Sequence, residues 1–413
     1  MKQYPEIDFS AYLQKAIIKN YAYDGQCESS RADYLYSFYR LSHKKEKIRE
    51  AVLKALQTES EDTWTLTQLF EFAKILAQQG DKEAKKGIYK RFGKKIIRGA
   101  DWAGADAISE LDGFEGLKFI AETFGKLLEK DPEDCQDDSL INEFQSKNGE
   151  VAVYEELEKM AKQNKYVEIY LNNINHTKQI RELNARKRQE ELKNDVDIIS
   201  FIKNAKRPRI FLKYEKPRKL ANEDLELIAT HFLQEKSEVL KEKFLSVFTE
   251  YKFPFDYHPI LELAKEKYSP ENRITQYAIE SLKFFQAKDL RDFAIDNLQT
   301  VRLMNINLYL PILISNYKKG DYRLLNHLIN KSDNPDFIHS INYDIRKIYE
   351  QNITTECKNP LESLYNKITC SECREDIIKL LVRYNVLSNK ILKEMEFDCN
   401  ENIQKLFVKL RSC

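Results

Sequence analysis

The sequence has little glycine and little proline, with 11 and 10 residues in a chain of 413. Both residues are common at the turns that join short strands, so a fold of many β-strands is not expected. Between Glu133 and Arg207 there is no proline and one glycine, Gly149, which leaves little to interrupt long helices. Leucine, lysine, glutamate, isoleucine and alanine dominate instead, and this composition predicts an all-α protein.

Long apolar runs are also missing. No stretch reaches the ~18 apolar residues of a membrane span, and the start, MKQYPEIDFSAYL, lacks the basic and apolar segments of a secretory signal. We therefore expect no membrane partner and a cytoplasmic location. The seven cysteines are odd in number and widely spread, unlike the framework of a secreted disulfide-rich domain, so most are expected to be reduced thiols.

Charge of one sign does not dominate, since 67 basic and 66 acidic residues give a net charge of +1. The overall charge therefore gives no reason to expect nucleic acid or membrane. Locally, residues 203–219 carry eight basic side chains against the single acid Glu215. This segment, which includes Arg207 and Arg209, is interpreted as a solvated linker or, alternatively, as a contact for nucleic acid or an acidic partner.

Common catalytic motifs are absent as well. The six histidines show no HExxH or other ligand spacing, and the sequence contains neither GxSxG nor a phosphate-binding glycine loop. We expect no enzyme of a common class and no cofactor.

A repeat is visible in the second half of the chain. From Ile274 to Phe285, apolar and small residues recur at i, i+3, i+4, i+7, i+8 and i+11, which predicts a helical stripe opened by Ser269 and Pro270. A second stripe, from Leu290, follows a connector short enough to make the two helices antiparallel. The pattern returns at Ile306, 32 residues after Ile274, and at Leu324, 34 residues after Leu290. Stacked helix pairs are therefore predicted.

The segment RITQYAIESLKFFQAKDLRDFAIDNL resembles HEAT repeats, with AIESL in the first helix and Asp289 and Arg291 opening the second. The resemblance implies an α-α superhelix of stacked antiparallel helix pairs, a HEAT-like solenoid. A tetratricopeptide array has a similar period and is the second alternative, because its Trp, Leu-Gly and Tyr signature is missing. We divide the chain into an irregular helical block (1–165), a long polar helix with a basic linker (166–220) and the repeats (221–413).

Six of the eleven glycines lie between Gly93 and Gly125, and they are expected to let helices approach closely or a ligand reach the backbone. On the helix expected to start at Trp102, that residue shares a face with Asp106 and Glu110. Three basic side chains lie just upstream: Lys94, Lys95 and Arg98.

An aromatic ring beside carboxylates and basic groups suits an extruded base on a phosphate backbone. HEAT-like DNA glycosylases that excise alkylated bases look similar in having a Trp and an Asp four residues apart, here Trp102 and Asp106. The alternative interpretation is that Trp102 packs in the core while Asp101 caps a helix.

A CxxC motif at Cys370 and Cys373 offers a weak metal site, a redox pair, or a helix start with reduced thiols. With Cys357 and Cys399, four thiols are available for a metal. Thr369 and Glu372 have the spacing of a capping box, which favours the helix start.

From the architecture we expect a non-catalytic scaffold that binds a protein or peptide partner on a concave surface. The alternative is a nucleic-acid-binding protein, with or without base-excision chemistry, that uses the basic residues of 82–98 and 203–219.

Overall fold

The computed structural model describes residues 6–28, 30–94, 102–133, 136–148, 153–193, 197–207, 209, 220–269 and 271–412. Within these ranges the chain is helical and contains no β-strand, so the prediction of an all-α protein is confirmed. None of the helices in these ranges has both the length and the apolar character that crossing a membrane requires. The chain divides into two compact units, Met1–Glu191 and Leu192–Cys413.

The described part of the first unit consists of helices of very different length. In chain order they are α1 (Ser10–Ile18), α2 (Gly25–Glu28), α3 (Ala32–Tyr39), α4 (Lys45–Thr58), α5 (Thr63–Gln78), α6 (Lys82–Arg91), α7 (Ala105–Lys130), α8 (Ser139–Asn148), α9 (Val153–Ala161) and α10 (Lys165–Lys193).

Helix α5 lies at the centre of the first unit and packs against α1, α3, α4, α6 and α7. The spacing of Leu66, Leu69, Phe70, Ala73 and Ala77 predicts one apolar stripe. The first four are fully buried and Ala77 is half-buried. The helix starts at Thr63 because the side chain of Asp62 accepts a hydrogen bond from the amide of Trp64. Its neighbours on several sides explain why a helix with a single predicted apolar stripe is buried so widely.

Glycines bend α7 and bring it close to other backbone. At Gly113 the backbone leaves the helical region, with φ 57° and ψ −130°, and the chain turns so that Gly116 faces the carbonyl of Ile108. A Cβ on Gly116 would lie 2.5 Å from that oxygen, and one on Gly125 would overlap the backbone of Tyr166 in α10. The expectation that these glycines permit close helix packing is therefore confirmed.

The second unit begins with α11 (Ile198–Asn204) and α12 (Asn222–Gln234). The helices that follow belong to two sets that alternate along the chain. We call one set the A helices: α13 (Glu238–Val247), α15 (Arg273–Ser281), α17 (Ile306–Tyr309) with α18 (Ile312–Asn316), α20 (Pro335–Gln351), α22 (Ser371–Arg383) and α24 (Glu401–Arg411). The B helices lie between them: α14 (His258–Ala264), α16 (Lys288–Thr300), α19 (Tyr322–Ile329), α21 (Lys358–Lys367) and α23 (Asn389–Met395).

Each A helix packs against the next A helix along the chain, and α19 packs against α21 among the B helices. The predicted stripes are largely buried, with Tyr277, Ala278 and Leu282 at 3% exposure or less. In the second stripe Leu290, Ala294 and Leu298 are fully buried, whereas Phe293 is half-buried. The repeat pattern thus marks the sides on which neighbouring helices meet.

Side-chain hydrogen bonds join the connectors of successive pairs. The side chain of the buried Asn316 accepts a hydrogen bond from the backbone N–H of Ala287 at 2.9 Å. It also donates one to the backbone carbonyl of Phe285 at 2.8 Å. Glu356 accepts from Tyr317 Oη at 3.0 Å and from the Gly320 amide at 2.9 Å. These partners are 29 to 39 residues apart. Each of these connectors is therefore held in place by hydrogen bonds to the connector of the adjacent helix pair.

Two predicted helix limits are wrong. The stripe beginning at Ile306 is divided into α17 and α18 around Pro311, which lacks the amide hydrogen for a continuous helix. Helix α15 begins at Arg273, after Ser269, because Asn272 is its N-cap and accepts from the Thr275 amide.

Candidate functional site

The predicted face of Trp102, Asp106 and Glu110 is not a single helical face. Trp102 lies in the turn before α7, and the helix begins at Ala105 after Gly104, whose φ is 94°. A side chain at Gly104 would overlap the ring of Phe70, so the turn requires glycine.

Trp102 is 49% exposed. The alternative interpretation, in which Trp102 packs in the core, is therefore wrong. Its ring lies 6.0 Å from that of Trp64 at an interplanar angle of 60°. The predicted cap residue, Asp101, and the predicted basic residues Lys95 and Arg98 lie outside the described residues. Lys94 is described and exposed.

Asp106 and Glu110 meet residues of two other helices. Lys147 Nζ lies 3.9 Å from Asp106, 3.6 Å from Glu110 and 2.8 Å from Glu143, and Lys74 Nζ lies 2.5 Å from Glu110. Three carboxylates therefore surround two lysines, and this net negative charge disfavours a phosphate backbone here.

The surrounding protein raises the pKa of Asp106, first by desolvation and then through the negative charge of Glu143. The shift occurs although 53% of the side-chain surface remains exposed. A carboxyl group with a raised pKa can exchange a proton nearer neutral pH. Its charged neighbours suit a basic side chain or cation better than nucleic acid.

The basic residues of α6, which precede this turn, are of two types: one is buried and bonded within the protein, and the others are exposed. Arg91 is buried, donates to the carbonyls of Lys94 and Glu59 at 2.8 and 2.7 Å, and has its pKa lowered by desolvation. Its guanidinium therefore holds the end of the helix in place. By contrast, Lys82, Lys86 and Lys90 are exposed and, at spacing i, i+4 and i+8, share one face of α6.

The predicted linker residues behave differently from each other. Arg207 is exposed, whereas Arg209 is half-buried. The Arg209 guanidinium is 2.8 Å from Glu280, 3.4 Å from Thr249 Oγ1 and 5.5 Å from the ring centre of Tyr277. Arg209 is thus engaged within the protein, which reduces the number of linker cations that can meet a ligand.

Asp344 and Lys283 form a second charged group in the second unit. Asp344 in α20 is buried, and desolvation raises its pKa to about 7, opposed by the positive charge of Lys283. Desolvation also lowers the pKa of Lys283, while Glu280 and Asp344 act in the opposite direction. Desolvation therefore acts on both the carboxyl group of Asp344 and the amine of Lys283, which lies in the turn after α15.

The two cysteines of the CxxC motif lie beside a histidine. His339 in α20, Cys370 and Cys373 place one imidazole nitrogen and two Sγ atoms within 4.8 Å of one another. Cys370 is buried, and the other two residues are partly exposed. This is the only such group of three His, Cys, Asp or Glu side chains found among the described residues.

The local structure at this cluster corrects the predicted cap. The N-cap of α22 is Cys370, not Thr369, and its side chain makes no capping hydrogen bond. Glu372 accepts from Asn400 Nδ2 at 3.2 Å. The Thr369 carbonyl instead accepts from Arg374 at 3.1 Å.

The other two thiols proposed for a four-cysteine site are placed elsewhere. Burial raises the pKa of Cys357 to about 11, so this thiol stays protonated at neutral pH. Cys399 Sγ lies 3.7 Å from Arg374 Nη2, and Arg374 also forms a two-point ion pair with Asp398. Neither thiol belongs to the group formed with His339.

His339 was missed in the sequence because no motif contains it. It precedes Cys370 by 31 residues and Cys373 by 34, which is about one helix pair. Residues one pair apart lie side by side on neighbouring A helices, so a search at the repeat spacing would have found it.

Comparison with protein-family models, with curated proteins and with solved structures found no match for this chain.

Proposed function

We propose that residues 221–413 are a helical-repeat array that binds a protein partner through its A helices. The A helices begin at residues 238, 273, 306, 335, 371 and 401, which gives steps of 29 to 36 residues. This spacing and the packing of each A helix on the next support a stacked array. The steps are nearer to helical repeats of about 33–34 residues than to HEAT units of about 40–47, so the spacing does not favour HEAT over other repeats.

Mixed charge on the A helices is the observation that favours a protein partner. Glu242 of α13 lies 3.8 Å from Arg273 of α15, and Arg346 of α20 pairs with Asp376 of α22. Basic side chains that are paired in this way are not available to form a continuous track for a phosphate backbone. A protein can match both signs.

Exposed apolar side chains on the same helices support this interpretation. Val239, Tyr343 and Val408, on α13, α20 and α24, are 57% to 64% exposed. Exposed aromatic residues are frequent anchors of protein interfaces. We take Tyr343, which lies 5.6 Å below Lys347 Nζ, as the residue to test.

The test is retention of partners from native lysate by the immobilised full chain at moderate salt. Tyr343→Ser is expected to reduce the retained partner at least ~10-fold, as for an aromatic hot spot. Leu227→Ser in α12, where the side chain is 46% exposed, is the matched control outside the A helices and should change nothing. The proposal fails if the unchanged chain retains no protein, or if both variants lose it equally.

Nucleic-acid binding is the second candidate, and the lysine face of α6 is the observation that favours it. Among the described residues, Lys82, Lys86 and Lys90 take part in no ion pair, whereas Lys85 beside them pairs with Asp112 at 2.5 Å. Lys94 continues the same spacing beyond the helix end. Unpaired lysines at the surface are suited to phosphate groups.

Fluorescence anisotropy with labelled single-stranded and duplex oligonucleotides tests this candidate. Binding should fall steeply with salt. Replacing Lys82, Lys86 and Lys90 by Gln, or replacing the predicted Lys94, Lys95 and Arg98, should weaken it and flatten the salt dependence. Replacing Lys159 and Lys165, which pair with Glu156 and Glu129, provides the control. No binding at low salt would eliminate nucleic acid.

A further inference from the structure

We propose that His339, Cys370 and Cys373 bind a zinc ion that links two neighbouring A helices. The inference does not depend on the proposed partner binding, because it is argued only from the donor atoms of these three side chains. It begins with the donor atoms: two thiol sulfurs and one imidazole nitrogen, all within 4.8 Å of one another.

The fold supplies these three donors from two helices. His339 lies in the second turn of α20, and the two cysteines lie at the N-cap and in the first turn of α22. Helices α20 and α22 pack directly on each other. The donors are therefore placed by the helix packing, and a small rotation of side chains is enough to bring them to one ion.

The chemistry of the donors favours zinc over calcium and magnesium. Thiolate and imidazole are the ligands zinc prefers, at about 2.3 Å for sulfur and 2.0–2.1 Å for nitrogen, whereas calcium and magnesium require oxygen. Two thiolates balance the charge of the divalent ion. Water completes the tetrahedral coordination.

The position at a helix start assists the thiolate form. The N-terminus of an α-helix carries a partial positive charge that favours anions, and thiolates are stabilised there. Helix α22 spans Ser371–Arg383, so Cys370 and Cys373 both lie at this end. Metal binding requires deprotonated cysteines and a neutral histidine, so zinc affinity should fall as the pH decreases.

Partial burial leaves the site accessible from one side. Cys370 is 3% exposed, while Cys373 and His339 keep some contact with solvent. An ion can enter from the exposed side and displace the thiol protons to water. Once bound, it adds a link between α20 and α22 that is independent of their apolar packing.

The experiment uses the full chain, reduced and stripped of metal with a chelator. Titration with Co²⁺ should give one equivalent of binding, with a thiolate charge-transfer band and the visible bands of tetrahedral cobalt. Zn²⁺ should displace the cobalt. The zinc content of the chain after gel filtration should be one per molecule, and the melting temperature should rise with zinc.

Variants identify the ligands. Cys370→Ser, Cys373→Ser and His339→Asn should each weaken zinc binding by more than about 100-fold, because even the outer partner of a ligand contributes about 10- to 100-fold. His339→Cys should keep binding and increase the thiolate band in proportion to the number of thiolates. Cys27→Ser, in the first unit, is the control and should bind zinc unchanged.

The proposal is overturned if the reduced chain takes up no zinc or cobalt. It is also overturned if the Cys370→Ser, Cys373→Ser double variant gives the unaltered cobalt spectrum, since the metal would then lie elsewhere. Far-UV circular dichroism of each variant separates loss of a ligand from loss of the fold.

Discussion

Ten of the eleven glycines lie in residues 1–191, whereas residues 192–413 contain one, Gly320. In the first unit, Gly116 and Gly125 lie against backbone that leaves no room for a Cβ. In the second unit a Cβ on Gly320 would meet nothing within 4 Å. The two units therefore assemble helices by different means: close backbone approach in the first, and side-chain links at regular spacing in the second.

The two units are therefore sensitive to different substitutions. Backbone approach depends on the absence of a side chain, so adding one methyl group is costly. Connector bonds such as those of Asn316 depend on a side chain being present, so removing one is costly. Substitution by alanine therefore probes both units: in the first it adds a methyl group where there is no room, and in the second it removes a side chain that forms hydrogen bonds.

The largest effect is expected for Gly125→Ala. The added methyl group would overlap the carbonyl of Tyr166, and α7 would have to move away from α10. We expect a loss of more than about 3 kcal/mol, at the upper end for overpacking. Thermal unfolding followed by circular dichroism measures it, and hydrogen exchange should locate the loss in the first unit.

Gly87→Ala is the matched control for that substitution. Gly87 lies inside α6, and its added Cβ would be 3.7 Å from Gln57 Nε2, an ordinary contact. Alanine in a helix interior is favoured over glycine by roughly 0.5–1 kcal/mol, so this variant should gain stability. Equal melting temperatures for the two variants would refute the account of close backbone approach.

A smaller loss is expected for Asn316→Ala in the second unit. The substitution leaves the Ala287 amide and the Phe285 carbonyl without their partner in a buried connector. We expect a loss of about 2–3 kcal/mol, because unpaired buried polar groups cost about 1–3 kcal/mol each. Asn330→Ala removes a bond at an exposed residue and should have little effect. If hydrogen exchange were altered in the first unit as well, the two units would not be independent.

The smallest change is expected for Asp344→Asn, and it depends on pH. Because the folded-state pKa of about 7 lies above the ordinary value of 3.8, ionisation destabilises the fold as pH rises from about 4 to 7. The penalty is fully present above pH 7 and absent below the unfolded pKa. The variant should therefore gain on the order of 2 kcal/mol more at pH 8 than at pH 5.

Urea denaturation of both proteins at the two pH values measures this gain. Asp336→Asn, at an exposed position of the same helix, is the control and should show no comparable pH dependence. A gain that is equal at pH 5 and pH 8 would mean that burial of Asp344 does not govern its ionisation.

Several elements of the fold could be predicted because one helix face is enough to define them. The stripes that begin at Ile274 and Leu290 are predicted from their spacing and are largely buried. The long polar helix predicted from Tyr166 is observed as Lys165–Lys193. Helix α20 was missed, although Ile338, Ile341, Ile345 and Ile348 form a buried stripe along it.

The candidate sites were less predictable because they depend on residues distant in sequence. The pairing of Asp106 with Lys147, and of Arg209 with Glu280, joins residues 41 and 71 positions apart. The cysteines were found by their motif, but His339 required the register of neighbouring A helices. Spacing along one helix carries no information on which side chain the next helix presents.

The helical character of this protein follows from its amino-acid sequence, because scarce glycine and proline and period-3.6 apolar stripes act locally. The helix-pair spacing of the second unit follows from the sequence as well. Three features are visible only in the folded structure: Trp102 precedes its helix, Gly113 bends α7, and His339 lies beside the CxxC motif. These features depend on how helices pack, and packing is set by contacts between distant residues.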